Sequence, residues 1–315
     1  MSVFLLDAPT NLGLRPPEPD AVPGCYKAPG ALRDHGLLER LGAVDAGVVV
    51  PPRYHGSWDG RTTRNLGAIA DYSRRLAGRL SALLATEGFP LVLGGDCSIL
   101  IGSLLAVGEG SEPRPGLVFV DGHSDFRHPG NTDVLQAAAG EDLAMACGLA
   151  DPGLGLDRPL VDPADVVVLG VRDDDEHLAE IADLGMHVET CGNILRDGVE
   201  RCTARALEHL ETRGVRDAWI HIDVDVLDPE VLPAVDSPAP GGLDQQHFVD
   251  LLATLCSVPV ARGLEITVFD PDLDPTGEHA ADLVEMLVAG LAGAGLGRGG
   301  KVSDVSDRFV AGRAR

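Results

Sequence analysis

The sequence predicts an α/β fold in which a single sheet of about eight mainly parallel strands is covered by helices on both faces. Three observations carry this expectation. Short apolar runs rich in β-branched residues recur along the 315-residue chain. Stretches rich in Ala, Leu, Arg and Glu, with helical period, lie between most of them. Polar clusters begin where several apolar runs stop. Apolar strands alternating with helices indicate a parallel sheet buried on both sides.

In chain order, the strands are expected at residues 3–6, 47–50, 90–93, 116–120, 166–170, 186–189, 218–222 and 262–266. Helices are expected at 63–86, 99–108, 135–147, 174–184, 199–213, 245–256 and 278–292. No low-complexity linker or fixed-period repeat divides the chain. The expected organisation is one domain over residues 1–297 and a basic tail over 298–315, where Arg298, Lys301, Arg308, Arg313 and Arg315 cluster.

Composition limits the function classes. The 49 Asp and Glu outnumber 25 Lys and Arg, for a formal net charge of -24. Nucleic-acid and anionic-membrane surfaces need clustered cations, so neither partner is expected. The apolar fraction of 44% is that of a folded globular chain. Six scattered cysteines without CxxC pairs read as free thiols in a reducing compartment. The amino terminus lacks a signal-peptide pattern, and no apolar run approaches the ~18 residues of a membrane span. The expected location is the cytoplasm.

The chemistry lies at the ends of three apolar runs. Leu91-Val-Leu leads into Gly94-Gly95-Asp96-Cys97-Ser98, and Leu117-Val-Phe-Val into Asp121-Gly122-His123-Ser124-Asp125. Trp219-Ile-His-Ile leads into Asp223-Val224-Asp225-Val226-Leu227-Asp228-Pro229. Ligands of open parallel sheets bind beyond the strand carboxyl ends, so three clusters there point to one site. On extended backbone, i, i+2, i+4 spacing turns Asp121, His123 and Asp125 to one face, and Asp223 and Asp225 likewise. Four carboxylates and an imidazole stay ionised together only around a cation. Oxygen donors with one nitrogen suit Mn²⁺ or a similar divalent ion, and Asp121 and Asp223 are placed to bridge two. The plainer alternative makes each Asp a turn or cap residue. A nucleotide-binding reading of Gly94-Gly95 fails for want of GxGxxG or a P-loop Lys.

These motifs, followed by Pro238-Ala-Pro-Gly-Gly-Leu243, resemble those of the arginase/agmatinase (ureohydrolase) family, in the same order and over nearly the whole chain. The resemblance implies a three-layer α/β/α sandwich around an eight-stranded, mainly parallel sheet. It implies Mn²⁺-assisted hydrolysis of a guanidino group, in which a metal-bridging hydroxide attacks the guanidinium carbon and urea leaves. Asp121, Asp125 and Asp223 match ligands of the first metal, and Asp121, His123, Asp223 and Asp225 match those of the second. Asp125 and His123 also count as catalytic candidates, and Asp228 matches a position supporting the ligand loop. Asp175 and Glu176, in Gly170-Val-Arg-Asp-Asp-Asp-Glu-His177, match the segment that holds a substrate α-amino group. A solvated acidic helix start is the alternative there. Ser237 joins them as a substrate-contact candidate. A homotrimer or homohexamer is implied, the basic tail being a possible contact.

Four positions depart from the family pattern. Cys97 stands where a His would ligate the first metal; a thiolate weakens that site for Mn²⁺ and favours Zn²⁺ or Fe²⁺, unless Cys97 is only a small core residue. Ala139-Gly140 replaces the His-Gly pair that supplies an acid/base, leaving His128 as the substitute unless it is a plain loop His. The acid that grips a guanidinium should fall near Val268, flanked by Glu265, the candidate contact, and Asp270. Phe126-Arg127 replaces a neutral contact segment, and Arg127 could clamp a carboxylate or pair with local acids. The bridging ligands remain while substrate-facing groups change. This favours a modified guanidine, such as an N-hydroxyguanidino compound, over arginine. The alternatives are a formimino or amidine substrate, or a weak homologue serving as a binding or regulatory subunit.

Overall fold

The computed structural model describes residues 1–109, 114–149 and 152–297; the basic tail expected at 298–315 lies outside the described residues. The strands are β1 Ser2–Ala8, β2 Val44–Val48, β3 Gly88–Gly94, β4 Gly116–Val120, β5 Val166–Leu169, β6 His187–Glu189, β7 Ala218–Asp223 and β8 Ala261–Thr267. The helices are α1 Ala28–Asp34, α2 Leu37–Leu41, α3 Leu66–Leu84, α4 Ile99–Val107 and α5 Asp142–Ala146. They continue with α6 Leu178–Asp183, α7 Cys191–Asp197, α8 Val199–Thr212, α9 Gln245–Ser257 and α10 Glu278–Gly293.

The eight strands form one sheet in the order β2-β1-β3-β8-β7-β4-β5-β6, every pair parallel. Alternate residues of each strand enter opposite cores, as the period of two requires. Val3, Leu5, Leu91, Val118, Ile220 and Leu264 pack with side chains of α1, α2, α8, α9 and α10. Leu6, Val92, Leu117, Phe119, Val168 and Trp219 pack with α3, α4, α5 and Ile181 of α6 on the other face. The expected three-layer sandwich is therefore present.

Two expected helices are much shorter than their sequence pattern, each for a local reason. The 135–147 pattern is helical only as a 3-10 turn at Ala138–Gly140 and as α5. The Glu141 carboxylate accepts the backbone N–H groups of Gln136 and Ala137 and the Thr63 hydroxyl, which holds an irregular turn there. In the 174–184 pattern, Asp175 accepts the N–H groups of Ser124 and His177, and helix begins only at Leu178. The helices α1, α2 and α7 were not anticipated. The second strand begins earlier than expected and contains Gly47 at φ 79°.

The loop after β3 approaches the β1 loop more closely than any side chain allows. A Cβ at Gly95 would lie 1.7 Å from the Thr10 carbonyl oxygen. That oxygen accepts the Asp96 N–H at 3.1 Å, which fixes the segment leading to Cys97. Gly95→Ala is therefore expected to destabilise the fold by about 2 kcal/mol or more, because backbone cannot rotate away as a side chain can. Urea unfolding of the variant measures it, and a change within experimental error would contradict this account.

Candidate metal centre

Strands β4 and β7 are neighbours, with Val120 opposite Ile222. Asp121 and Asp223 therefore emerge side by side at the carboxyl ends of the central strands. Neither motif continues as extended chain, contrary to the expectation from spacing. Asp121 Oδ1 accepts the His123 N–H at 2.6 Å, and Asp223 Oδ1 accepts the Asp225 N–H at 2.7 Å. These short-range bonds turn both segments at once and aim their side chains inward.

The turn after β7 is held from behind by Arg172, which is buried. Its guanidinium donates to the carbonyls of Asp225 at 2.9 Å, Val226 and Leu227 at 3.3 Å, and Ala239 at 2.8 Å. Asp228 accepts the N–H groups of Glu230, Gly241 and Gly242, which hold its carboxyl below the usual range. Its expected supporting role matches this geometry.

Three sets of ligating atoms converge among the described residues, each within 4.8 Å: Asp121, His123 and Asp225; Cys97, Asp121 and Asp223; and Cys97, Asp142 and His221. His123 Nδ1 lies 3.0 Å from Asp225 Oδ2 and 3.7 Å from Asp121 Oδ1. Cys97 Sγ donates to Asp223 Oδ2 at 2.9 Å and lies 3.2 Å from Thr267 Oγ1. Asp121 Oδ2 is buried without a hydrogen-bond partner. Burial, and then the Asp225 charge, pushes the Asp121 and Asp223 carboxyls well up. The Asp225 hydrogen bond pushes His123 up to about 10. An orphaned carboxylate oxygen among crowded acids, with oxygen and nitrogen donors to hand, fits a divalent cation of the Mn²⁺ type.

A cavity of about 480 Å³ opens beside these groups, lined by His123, Asp125, Asp223 and Asp225 and by the rim. A model of the Arginase family matches residues 18–293. The chain belongs to the Arginase family. The arginase of Bacillus caldovelox is 30% identical over 276 residues, covering 84% of this chain and 91% of that protein. Human Arginase-1 is 28% identical over 291 residues, covering 88% and 89%. The crystal structure of Bacillus subtilis arginase superposes with a TM-score of 0.79 at 26% identity, covering 92% of this chain and 98% of that one. Arginase-family homologues are hydrolases that act on guanidino and amidine compounds.

The structure sorts this family member's candidate residues. Asp125 lines the cavity half-buried, at φ 43°, but belongs to none of the converging sets. Arg127, Asp175, Glu176 and Ser237 all line the cavity, with Arg127 paired to Glu176 at 3.1 Å. His128 does not. It is buried, its Nδ1 accepts the Gly130 N–H at 3.0 Å, and its Nε2 lies 2.9 Å from Glu180 Oε1. Both ring nitrogens are taken, one by its own loop and one by Glu180 of α6, so its candidacy as acid/base is corrected. Glu265 does not reach the cavity either: it points into the core beneath it, bonded to His221 and Ser103. Strand parity sets this, because β8 turns residue 265 to the α4 face.

His177, at the end of the expected substrate segment, also lines the cavity, and Asp236 lines it without a sequence signal that pointed to it. The enclosing walls, then the Asp225 charge, push Asp236 up to about 6; its open rim position screens any effect on stability. Asp142 and His221 were also missed. His221 was legible in principle, since it precedes Asp223 by two residues in one strand and so shares its face.

Without a divalent cation, these groups are expected to lower stability as pH rises. Burial lifts Asp121, Asp125 and Asp223 above the unfolded value of 3.8. The folded chain then holds protons that the unfolded chain has released, so their stabilising contribution is lost as pH climbs past that value. His123 acts in the same sense between 6.5 and about 10. A cation replaces these protons and reverses the trend. Thermal melts should show that the Mn²⁺-induced rise in Tm grows from about pH 5 to about pH 9. A rise that shrinks with pH would contradict this electrostatic picture.

Proposed function

We propose that the chain is a Mn²⁺-dependent amidinohydrolase that cleaves a C–N bond of a modified guanidino compound, foremost an N-hydroxyguanidino amino acid, releasing urea or a urea derivative. The observation that carries this reading is Val268. It lines the cavity beside the carboxylate cluster, where the family pattern calls for an acid to grip a guanidinium. At that position an apolar side chain offers a cationic guanidinium no counter-charge of its own. A hydroxyl on the guanidine withdraws electrons and lowers its basicity, so a neutral form meets that wall without penalty. A formimino or other amidine substrate is the second reading, supported by the same uncharged wall.

The remaining roles follow from placement. Two Mn²⁺ ions held by Asp121, His123, Asp223 and Asp225 would supply an activated water at neutral pH. Asp125 stands at the cavity wall, where burial and the Asp121 charge lift its carboxyl, so it can hold and pass a proton. Asp175 and Glu176 present acid to a substrate ammonium, and Arg127 presents a guanidinium to a carboxylate. The reading includes a single catalytic domain over residues 1–297, assembled as a homotrimer or homohexamer in the cytoplasm. Six free, buried cysteines support a reducing compartment. Among the described residues, no helix is long and apolar enough to cross a membrane.

The test is a panel of guanidino, N-hydroxyguanidino and formimino amino acids incubated with Mn²⁺, following urea, hydroxyurea and formamide. The N-hydroxyguanidino substrate is expected to be turned over with a kcat/KM at least about tenfold above that of arginine, a difference of ~1.4 kcal/mol. Equal or faster release of urea from arginine would overturn the assignment. Asp223→Asn should lower turnover by about 10³-fold, since metal-ion catalysis is worth several kcal/mol. Val268→Glu should move the preference toward arginine.

A further inference from the structure

Beneath the carboxylate cluster lies a second polar group that the proposed hydrolysis does not use. Asp142 opens α5, His221 sits in the middle of β7 and Cys97 precedes α4; all three are fully buried. His221 Nδ1 lies 2.7 Å from Glu265 Oε1, and the other Glu265 oxygen accepts the Ser103 hydroxyl at 2.5 Å. Next to a carboxylate, Nδ1 carries the ring proton, which leaves Nε2 with a free lone pair. Phe119 stacks on the imidazole at 4.9 Å and 12°, fixing its plane.

That lone pair has no partner. Asp142 Oδ2 also has none, and the two atoms face each other across 4.0 Å. Two electron-rich atoms left unpartnered and facing each other in an apolar core are a costly arrangement, which a cation held between them relieves. A hydrogen bond does not resolve it, because 4.0 Å is beyond hydrogen-bond reach. Cys97 Sγ completes the set, all three ligating atoms lying within 4.8 Å of one another. Bonds of about 2.0–2.2 Å to nitrogen and oxygen and about 2.3 Å to sulfur draw such ligands together by roughly half an ångström to an ångström.

We propose that Cys97, Asp142 and His221 form a metal site of their own, selective for a soft divalent ion of the Zn²⁺ type, beneath the Asp121–His123–Asp225 cluster. The donor set of thiolate, imidazole and carboxylate is that of zinc and not of Mn²⁺. Glu265 acts as a positioning residue: its bond to Nδ1 fixes the tautomer and orients Nε2, as carboxylates behind metal-bound histidines do. When the ion binds, an S–metal bond replaces the S–H bond, and the thiol proton passes to solvent. This inference goes beyond the hydrolytic reading and does not depend on it.

The experiment loads the purified chain with one equivalent of Co²⁺ and records the thiolate-to-cobalt charge-transfer absorption in the near ultraviolet. The band is expected in the unaltered protein and in His123→Asn, and absent in Cys97→Ser and His221→Gln. Glu265→Gln should weaken Co²⁺ binding by about 10–100-fold without abolishing the band. Because buried variants can fail to fold, X-ray absorption of the Zn²⁺-loaded His123→Asn protein gives a second measurement. One sulfur near 2.3 Å with imidazole scattering supports the site, and an oxygen-only shell overturns it. A band that survives His221→Gln would place the sulfur on an ion held with Asp121 and Asp223 and overturn the site. A band in a protein inert toward every guanidino and amidine substrate would leave this site standing and overturn the hydrolytic reading alone.

Discussion

The constraint on which the top of the sheet depends is the burial of like charges. Asp121, Asp223 and Asp225 are each almost wholly removed from solvent, at 1–3% exposure. Water cannot screen them there, and their mutual repulsion adds to the loss of hydration. The surrounding protein answers with oriented dipoles. Backbone N–H groups of Gly122, His123 and Asp225 point at the carboxylates. Arg172 gives its hydrogen bonds to the carbonyls of the turn and so fixes where the carboxylates stand. This scaffolding orients negative charge without neutralising it, which is the property a cation site needs and a merely structural acid cluster lacks.

The architecture was legible because it rests on periodicities that survive tertiary packing. Strand 116–120 is a continuous apolar run, and 218–222 is broken only by His221, because both faces of a parallel sheet are covered. Leu117 and Trp219 go to one core, and Val118 and Ile220 to the other. The polar clusters were legible as a site because strand ends are where such a sheet exposes its loops. What the pattern did not show was the course of the chain beyond those ends. Glu141 and Asp175 use their carboxylates on local backbone N–H groups, so two segments with helical spacing do not become long helices. Glu265 and His128 looked available by proximity in sequence. One is turned into the core by strand parity, and the other is bound by both ring nitrogens, to Gly130 of its own loop and to Glu180 of α6. Proximity along a chain says little about which side of a sheet a side chain enters.

Asp142 and His221 escaped notice for a different reason. Each is unremarkable alone, one at a helix start and one within a strand. Their meaning arises only from the parallel register that sets His221 opposite Glu265 and from the loop that lowers α5 onto that face. The strand period could place His221 on the face of Asp223, but only this long-range register brings Asp142 and Glu265 to it.

Val268 shows how scaffold and chemistry separate within one residue. Its φ of 75° lies in the left-handed region, which a β-branched residue adopts only under constraint. Its N–H donates to the Gly95 carbonyl at 2.6 Å, and its side chain is buried, so the surrounding structure over-determines the conformation. A residue without β-branching would occupy that backbone with less strain. The strain is therefore retained together with a side chain that does not suit it, and the shape of the loop belongs to the scaffold whichever residue fills it. The hydrogen bond and burial that hold this backbone do not depend on which side chain faces the wall. A change of side chain at 268 can then alter the wall while the β7–β8 pairing that sets Asp223 opposite Thr267 keeps its register.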